Sequence, residues 1–131
     1  MADSRPDPRR FDDSPIPKDY IEQEVGRRKT FYLLLYAMGP ADRSNLPLLE
    51  QRRAEHVEYL YQLRRHGVLV MHGPMNHPKD GPDFPFRGMG VFSADSIEEV
   101  QGYAARDPMV REGFLTAQVL PFNGHPGDKL P

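Results

Sequence analysis

Residues 31–38, Phe-Tyr-Leu-Leu-Leu-Tyr-Ala-Met, form an unbroken apolar run that Gly39-Pro40 closes. The run is too short for a typical globular helix and rich in aromatic residues, so it reads as a buried strand. Successive side chains of a strand point to opposite faces. Both parities are apolar here, so both faces of the strand call for cover. The rest of the chain has to supply layers for that strand.

Downstream segments supply one such layer. Asn45 to His66 reads as a long helix, with Asn45 as N-cap, Pro47 in the first turn and Gly67 following the last turn. Leu49, His56, Tyr59, Leu60 and Leu63 fall on one face, and Arg52, Glu55, Glu58 and Arg65 on the other. Apolar packing, rather than charge pairing along the helix, is the expected support. Val68 to Gly73 reads as a second strand and Phe86 to Ser93 as a third, the latter weakened by Gly88 and Gly90. Between them lies a loop rich in proline and glycine, residues 75–85, long for a hairpin connection. Ser96-Ile-Glu-Glu99 is a capping-box pattern that opens a second helix to Arg106, and Asp107-Pro108 breaks it. Phe114 to Phe122 reads as a fourth strand.

The order is β-α-β-β-α-β, the split βαβ or ferredoxin-like arrangement of an α+β domain. Both helices then pack on one face of a four-stranded antiparallel sheet. The other face is left for a second copy of the chain to cover, so a homodimer is expected. Residues 1–29, with prolines at 6, 8, 15 and 17, read as a polar arm, and 123–131 as a tail. Within the arm, Asp19 to Arg28 has a weak apolar stripe that suits a short helix with Asp19 as its cap. A mostly disordered arm and an arm partly docked on a partner subunit are both open.

The 131 residues predict one folded domain, 30–122, and their charges are nearly balanced, 17 basic against 19 acidic. No basic cluster marks a nucleic-acid surface. The longest strongly apolar run is far short of a membrane span. The opening MADSRPDPRRFDDSP lacks the basic-then-apolar pattern of a secretory leader, so a cytoplasmic location is expected. With no cysteine, thiolate metal sites and cysteine nucleophiles are excluded.

Five segments taken together resemble the YCII-related family: His56-Val-Glu-Tyr-Leu60, Leu63-Arg-Arg-His-Gly67, His72-Gly-Pro74, Ser96-Ile-Glu-Glu-Val100 and Asp107-Pro-Met-Val-Arg-Glu-Gly113. The resemblance spans roughly residues 30–122. It implies the dimeric α+β barrel superfamily, home also to muconolactone-isomerase-like enzymes, a dehydrochlorinase of chlorinated hydroxyquinols and cofactor-free oxygenases. It implies a pocket between sheet and helices in each subunit. It also implies a catalytic pair of a histidine on the first helix and an aspartate after the second, which fall at His56 and Asp107. The arm and the long loop at 75–85 lie outside the family pattern, so no substrate class carries over.

An imidazole can take up and release a proton near neutral pH, which makes His56 the first candidate for chemistry. From spacing alone, a core histidine satisfied by a backbone carbonyl is the plainer reading; the resemblance favours the catalytic one. Asp107 would hold the His56 ring in one tautomer, the logic of a base and its orienting carboxylate. Its bland alternative is a turn former before Pro108. His72, Tyr36, Tyr59 and Phe86 are candidates for lining the pocket, and Arg87 for meeting an anionic or phenolate substrate. Ordinary core packing and an exposed surface arginine are the alternatives. His72 and His77 with His56 invite a three-histidine metal site, but no ligand spacing supports one and none is expected. Neither is a cofactor. The expected activity is cofactor-independent proton transfer, namely isomerisation, elimination or cyclisation of a small apolar, aromatic or polyketide-like molecule. A non-catalytic ligand-binding or accessory protein and a cofactor-free oxygenase are the alternatives on the same fold.

Overall fold

A computed structural model describes residues 5–76 and 84–131. By its contacts the chain divides into two units, residues 29–124 and residues 1–28 with 125–131. In the smaller unit, helix α1 spans Lys18–Gly26 and leaves Tyr20, Ile21 and Val25 exposed. Its cap lies two residues earlier than expected. Pro17 stands at the cap position, and Asp19 falls in the first turn instead, where a carboxylate still complements the helix dipole.

The larger unit contains β1 (Lys29–Met38), α2 (Leu46–Arg65), β2 (Leu69–Pro74), β3 (Phe86–Phe92), α3 (Ile97–Ala105), α4 (Pro108–Arg111) and β4 (Leu115–Gly124). The strands form one antiparallel sheet in the order β2-β3-β1-β4. This is the α+β ferredoxin-like fold expected from the order of segments. Its local signals act as read. Asn45 accepts from the Leu48 amide and Ser96 from the Glu99 amide, each capping its helix. Gly67 takes the left-handed conformation (φ 87°) that ends α2.

Several boundaries differ, among them the start of β1, which lies at Lys29 rather than Phe31. β4 runs past Phe122, because Asn123 and Gly124 pair with Thr30 and Lys29 of β1. The segment after Asp107, expected only as a break, folds into the one-turn helix α4. A single turn is too short to show periodicity, so nothing but its cap could have signalled it. The charged face of α2 also does more than expected. Arg52 bridges Glu55 on its own helix and, at 2.9 Å, Glu112 just after α4.

The core lies between the sheet and the helices. Tyr32, Leu34 and Tyr36 of β1 point inward with Leu69 and Phe92, and meet Leu49 and Leu63 of α2, Val100 and Ala104 of α3, and Met109 of α4. The other parity of β1 faces the opposite side, where its cross-strand partners include Leu120 and Phe122 of β4. These two are each 39% exposed, so no described residue of this unit lays a full layer over that face.

Candidate active site

The site grows out of how α2 is seated. Leu49, His56 and Leu63 recur every seven residues and face the core, with Leu49 and Leu63 buried. Arg53, Val57, Leu60 and Tyr61 fall on the flank beside this seam and line a cavity of about 570 Å³. His56 stands at the border of the two, its ring partly buried. The cavity floor comes from β1, β2 and β3. Gly88 lies opposite Tyr36 in the sheet register, and its missing side chain leaves the space open. Of the two glycines that weaken β3 as a strand, Gly88 thus borders the cavity, whereas Gly90 packs against Leu69 and Phe92 of the core.

Asp107 is the N-cap of α4 and is fully buried. Oδ1 accepts from the Met109 amide at 2.9 Å. Oδ2 accepts from the Tyr36 hydroxyl at 2.9 Å and lies 2.6 Å from His56 Nδ1. The turn-forming and orienting roles of Asp107 are therefore one structure: the cap fixes one carboxylate oxygen and aims the other. A carboxylate only accepts, so Nδ1 carries the ring proton. Nε2, the other nitrogen of a ring that lines the cavity, has no hydrogen bond among the described residues. Burial, and after it the Asp107 charge, raises the Tyr36 phenol far above its ordinary value, so Tyr36 stays a donor. Its ring meets His56 edge to face, with centroids 5.2 Å apart.

The expected pocket residues divide. His56, Tyr36, His72 and Arg87 all line the cavity. His72 packs edge-on against Tyr61, and its buried Nε2 has no partner among the described residues. Burial, then the charges of Arg64 and His56, lowers its pKa below that of free imidazole, so it is neutral at pH 7. Arg87 donates to the Phe84 and Phe86 carbonyls. Tyr59 and Phe86 do not line the cavity. Tyr59 is on the other flank of α2, where its hydroxyl donates to the Tyr103 carbonyl at 2.7 Å and ties α2 to α3. Phe86 stacks edge-on with Phe84, at a shift of register where β1 and β3 pair.

Sequence reasoning missed Arg43 and Arg53 on the cavity wall. Arg53 was legible in principle, since 53, 56, 57, 60 and 61 keep helical spacing, but their mixed polarity hides the stripe. Arg43 sits in the loop before α2, where no periodicity applies; it donates to the Phe114 carbonyl and its guanidinium lies over the Phe114 ring. Among the described residues no three metal-ligating side chains gather. His77 lies outside the described residues.

The four-stranded antiparallel split βαβ sheet with its helices places the chain among α+β domains of the muconolactone isomerase fold. Residues 30–123 match the YCII-related domain, and the chain belongs to that family. Among solved structures it is similar to a muconolactone isomerase, at 14% identity over 77% of this chain and 96% of that one, with a TM-score of 0.57. It is also similar to 5-chloro-2-hydroxyhydroquinone dehydrochlorinase from Burkholderia phenoliruptrix, in complex with 2,5-dihydroxybenzoquinone, at 22% identity over 68% of this chain and 90% of that one, with a TM-score of 0.50. No curated protein matches. Among the described residues no helix is long and apolar enough to cross a membrane.

Proposed function

We propose that this protein is an enzyme in which His56 moves a proton on a small, mostly apolar molecule, with Asp107 as its positioning residue and no cofactor. The observation that carries the reading is the 2.6 Å contact of His56 Nδ1 with a carboxylate that is itself fully buried and held by two further donors. A base so held loses little orientation freedom when it acts. Nε2 takes a proton from a carbon next to a carbonyl, and the electron pair left behind moves onto the carbonyl oxygen as an enolate. Return of the proton to another carbon completes an isomerisation; loss of a leaving group with its electron pair completes an elimination. Asp107 stabilises the imidazolium between the two steps. His72 and Arg87 bind the substrate, and Tyr36 holds the carboxylate. The cavity is of ordinary size for a ligand of one or two rings, such as the dihydroxybenzoquinone bound by the dehydrochlorinase of this fold.

Hydrogen–deuterium exchange at carbon tests the reading. Cyclic enones and hydroxyquinones are incubated with the protein in heavy water and followed by proton NMR. The protein is expected to accelerate exchange in part of the panel, and His56→Gln to slow it by about 10²–10⁴-fold, the usual worth of a general base. Exchange equally fast with both proteins, or with neither, would favour a ligand-binding role instead.

The active form is a homodimer in which a second sheet covers the side bearing Leu33, Leu35, Leu120 and Phe122. Sedimentation equilibrium is expected to give twice the monomer mass, and Leu33→Lys to return the monomer. A monomer before substitution contradicts this assembly.

A further inference from the structure

The cavity wall has a charge imbalance of which the proton-transfer reading uses only Arg87. Arg43, Arg53 and Arg87 all line it, and among the described residues no aspartate or glutamate does. Asp107 lies behind His56, its oxygens already shared by three donors. Much of the remaining wall is apolar, with Met38, Val57, Leu60, Met89, Met109 and Leu115 beside the polar rings of Tyr36, His56, Tyr61 and His72. Arg43 is the most confined of the three. Its guanidinium donates to the Phe114 carbonyl, while its buried Nε has no partner among the described residues. Burial, then repulsion from Arg53 and Arg87, lowers its pKa from the ordinary arginine value. His72 Nε2, on the same wall, is likewise buried and unpartnered. Guanidiniums gathered without a counter-charge beside apolar surface are unfavourable, and a bound anion relieves both the repulsion and the unmet donors.

We infer that the molecule bound in this cavity carries a carboxylate, held by Arg43, Arg53 and Arg87 while its apolar body lies against Val57, Leu60 and Met109. The planar fork of a guanidinium matches a carboxylate in two parallel hydrogen bonds, which a lysine cluster would not provide. The inference rests on reading this cavity as the substrate site. It also adds to that chemistry: when a proton leaves carbon, negative charge grows on oxygen, and nearby guanidiniums stabilise it.

The probes are 2-naphthoate and 2-naphthamide, which share shape and differ in charge. Each is titrated into the full chain at pH 8, where His72 is neutral, with binding read from the ring signals of His56 and His72 by NMR. Naphthoate is expected to bind more tightly by roughly tenfold or more, the range set by a charge-assisted pair. Arg53→Gln is expected to weaken naphthoate by several-fold and leave naphthamide unchanged. Arg53 is exposed and has no hydrogen bond or ion pair among the described residues, so this variant is expected to stay folded; Arg43→Gln, which also loses the Phe114 contact, serves as the second variant. Equal affinities for the two probes, no saturable binding of naphthoate, or naphthoate binding untouched by both substitutions overturns the inference. The measurement needs no turnover. Charge-selective binding without carbon exchange would sink the proton-transfer reading alone, and carbon exchange without charge selectivity would sink this inference alone.

Discussion

Asp107→Ala is expected to lower the unfolding free energy by about 3 kcal/mol or more, as read from urea denaturation, because an unmet buried donor costs about 1–3 kcal/mol. Three donors converge on this fully buried carboxylate, and two of them, the Tyr36 hydroxyl and the Met109 amide, belong to buried residues. Alanine leaves both without an acceptor and releases His56 as well. It also removes the cap of α4, and with it the anchor between the end of α3 and the start of β4. Asp107→Asn separates the two roles. An amide oxygen still caps α4 or accepts from Tyr36, so the stability loss is smaller. Its NH₂ donates, however, and next to His56 it opposes an Nδ1 that carries a proton. Asp107→Ala as stable as the parent would mean that water reaches these donors and that the carboxylate is not the keystone described.

Gly39→Ala is expected to cost about as much, by a different cause. A β-carbon on Gly39 would stand 2.1 Å from the Gly113 carbonyl oxygen, 2.8 Å from its carbon and 2.9 Å from the Leu115 nitrogen. All three are backbone atoms, so no side chain can turn aside. The chain there is also tied, with the Gly39 amide donating to the Phe114 carbonyl at 2.9 Å and the Ala41 amide to the Gly113 carbonyl at 3.0 Å. Overpacking costs about 1–3 kcal/mol, and each hydrogen bond stretched by the separation adds about 1 kcal/mol. A total near 3 kcal/mol is expected from thermal or urea unfolding. Gly102→Ala is the matched control. It lies within α3, with nothing within 4 Å of its β-carbon, so alanine there is expected to stabilise by about 0.5–1 kcal/mol. The two substitutions have opposite signs although each adds one methyl group. Loss of stability at 102, or none at 39, would contradict the packing of Gly39 against 113–115.

The elements were legible because each carries its own punctuation. Gly39-Pro40 closes β1, Asn45 and Gly67 bracket α2, and Ser96 with Glu99 opens α3. These signals act within a few residues, so they can be read without the tertiary structure. The site was legible only in part. His56 and Asp107 are 51 residues apart, and no local spacing joins them; the family resemblance did. Tyr59 shows the limit of a helical stripe: it shares the apolar half of α2 with His56 but lies on the flank toward α3, where its hydroxyl is spent on a carbonyl. Arg53 shows the converse, a charged residue on the flank that turns to the cavity. Which flank of an amphipathic helix meets a void depends on the small residues below it, here Gly88, and that is a property of the sheet register rather than of the helix.

The central claim is that Asp107 holds His56 with its proton on Nδ1 and a bare Nε2 for the cavity. Nitrogen-15 NMR of the histidine rings tests it most directly at a pH where the ring is neutral. A protonated Nδ1 with a far-downfield proton and an unprotonated Nε2 are expected in His56, a pattern lost in Asp107→Asn. A His56 that carries its proton on Nε2, or whose nitrogen signals are unchanged by Asp107→Asn, would contradict it.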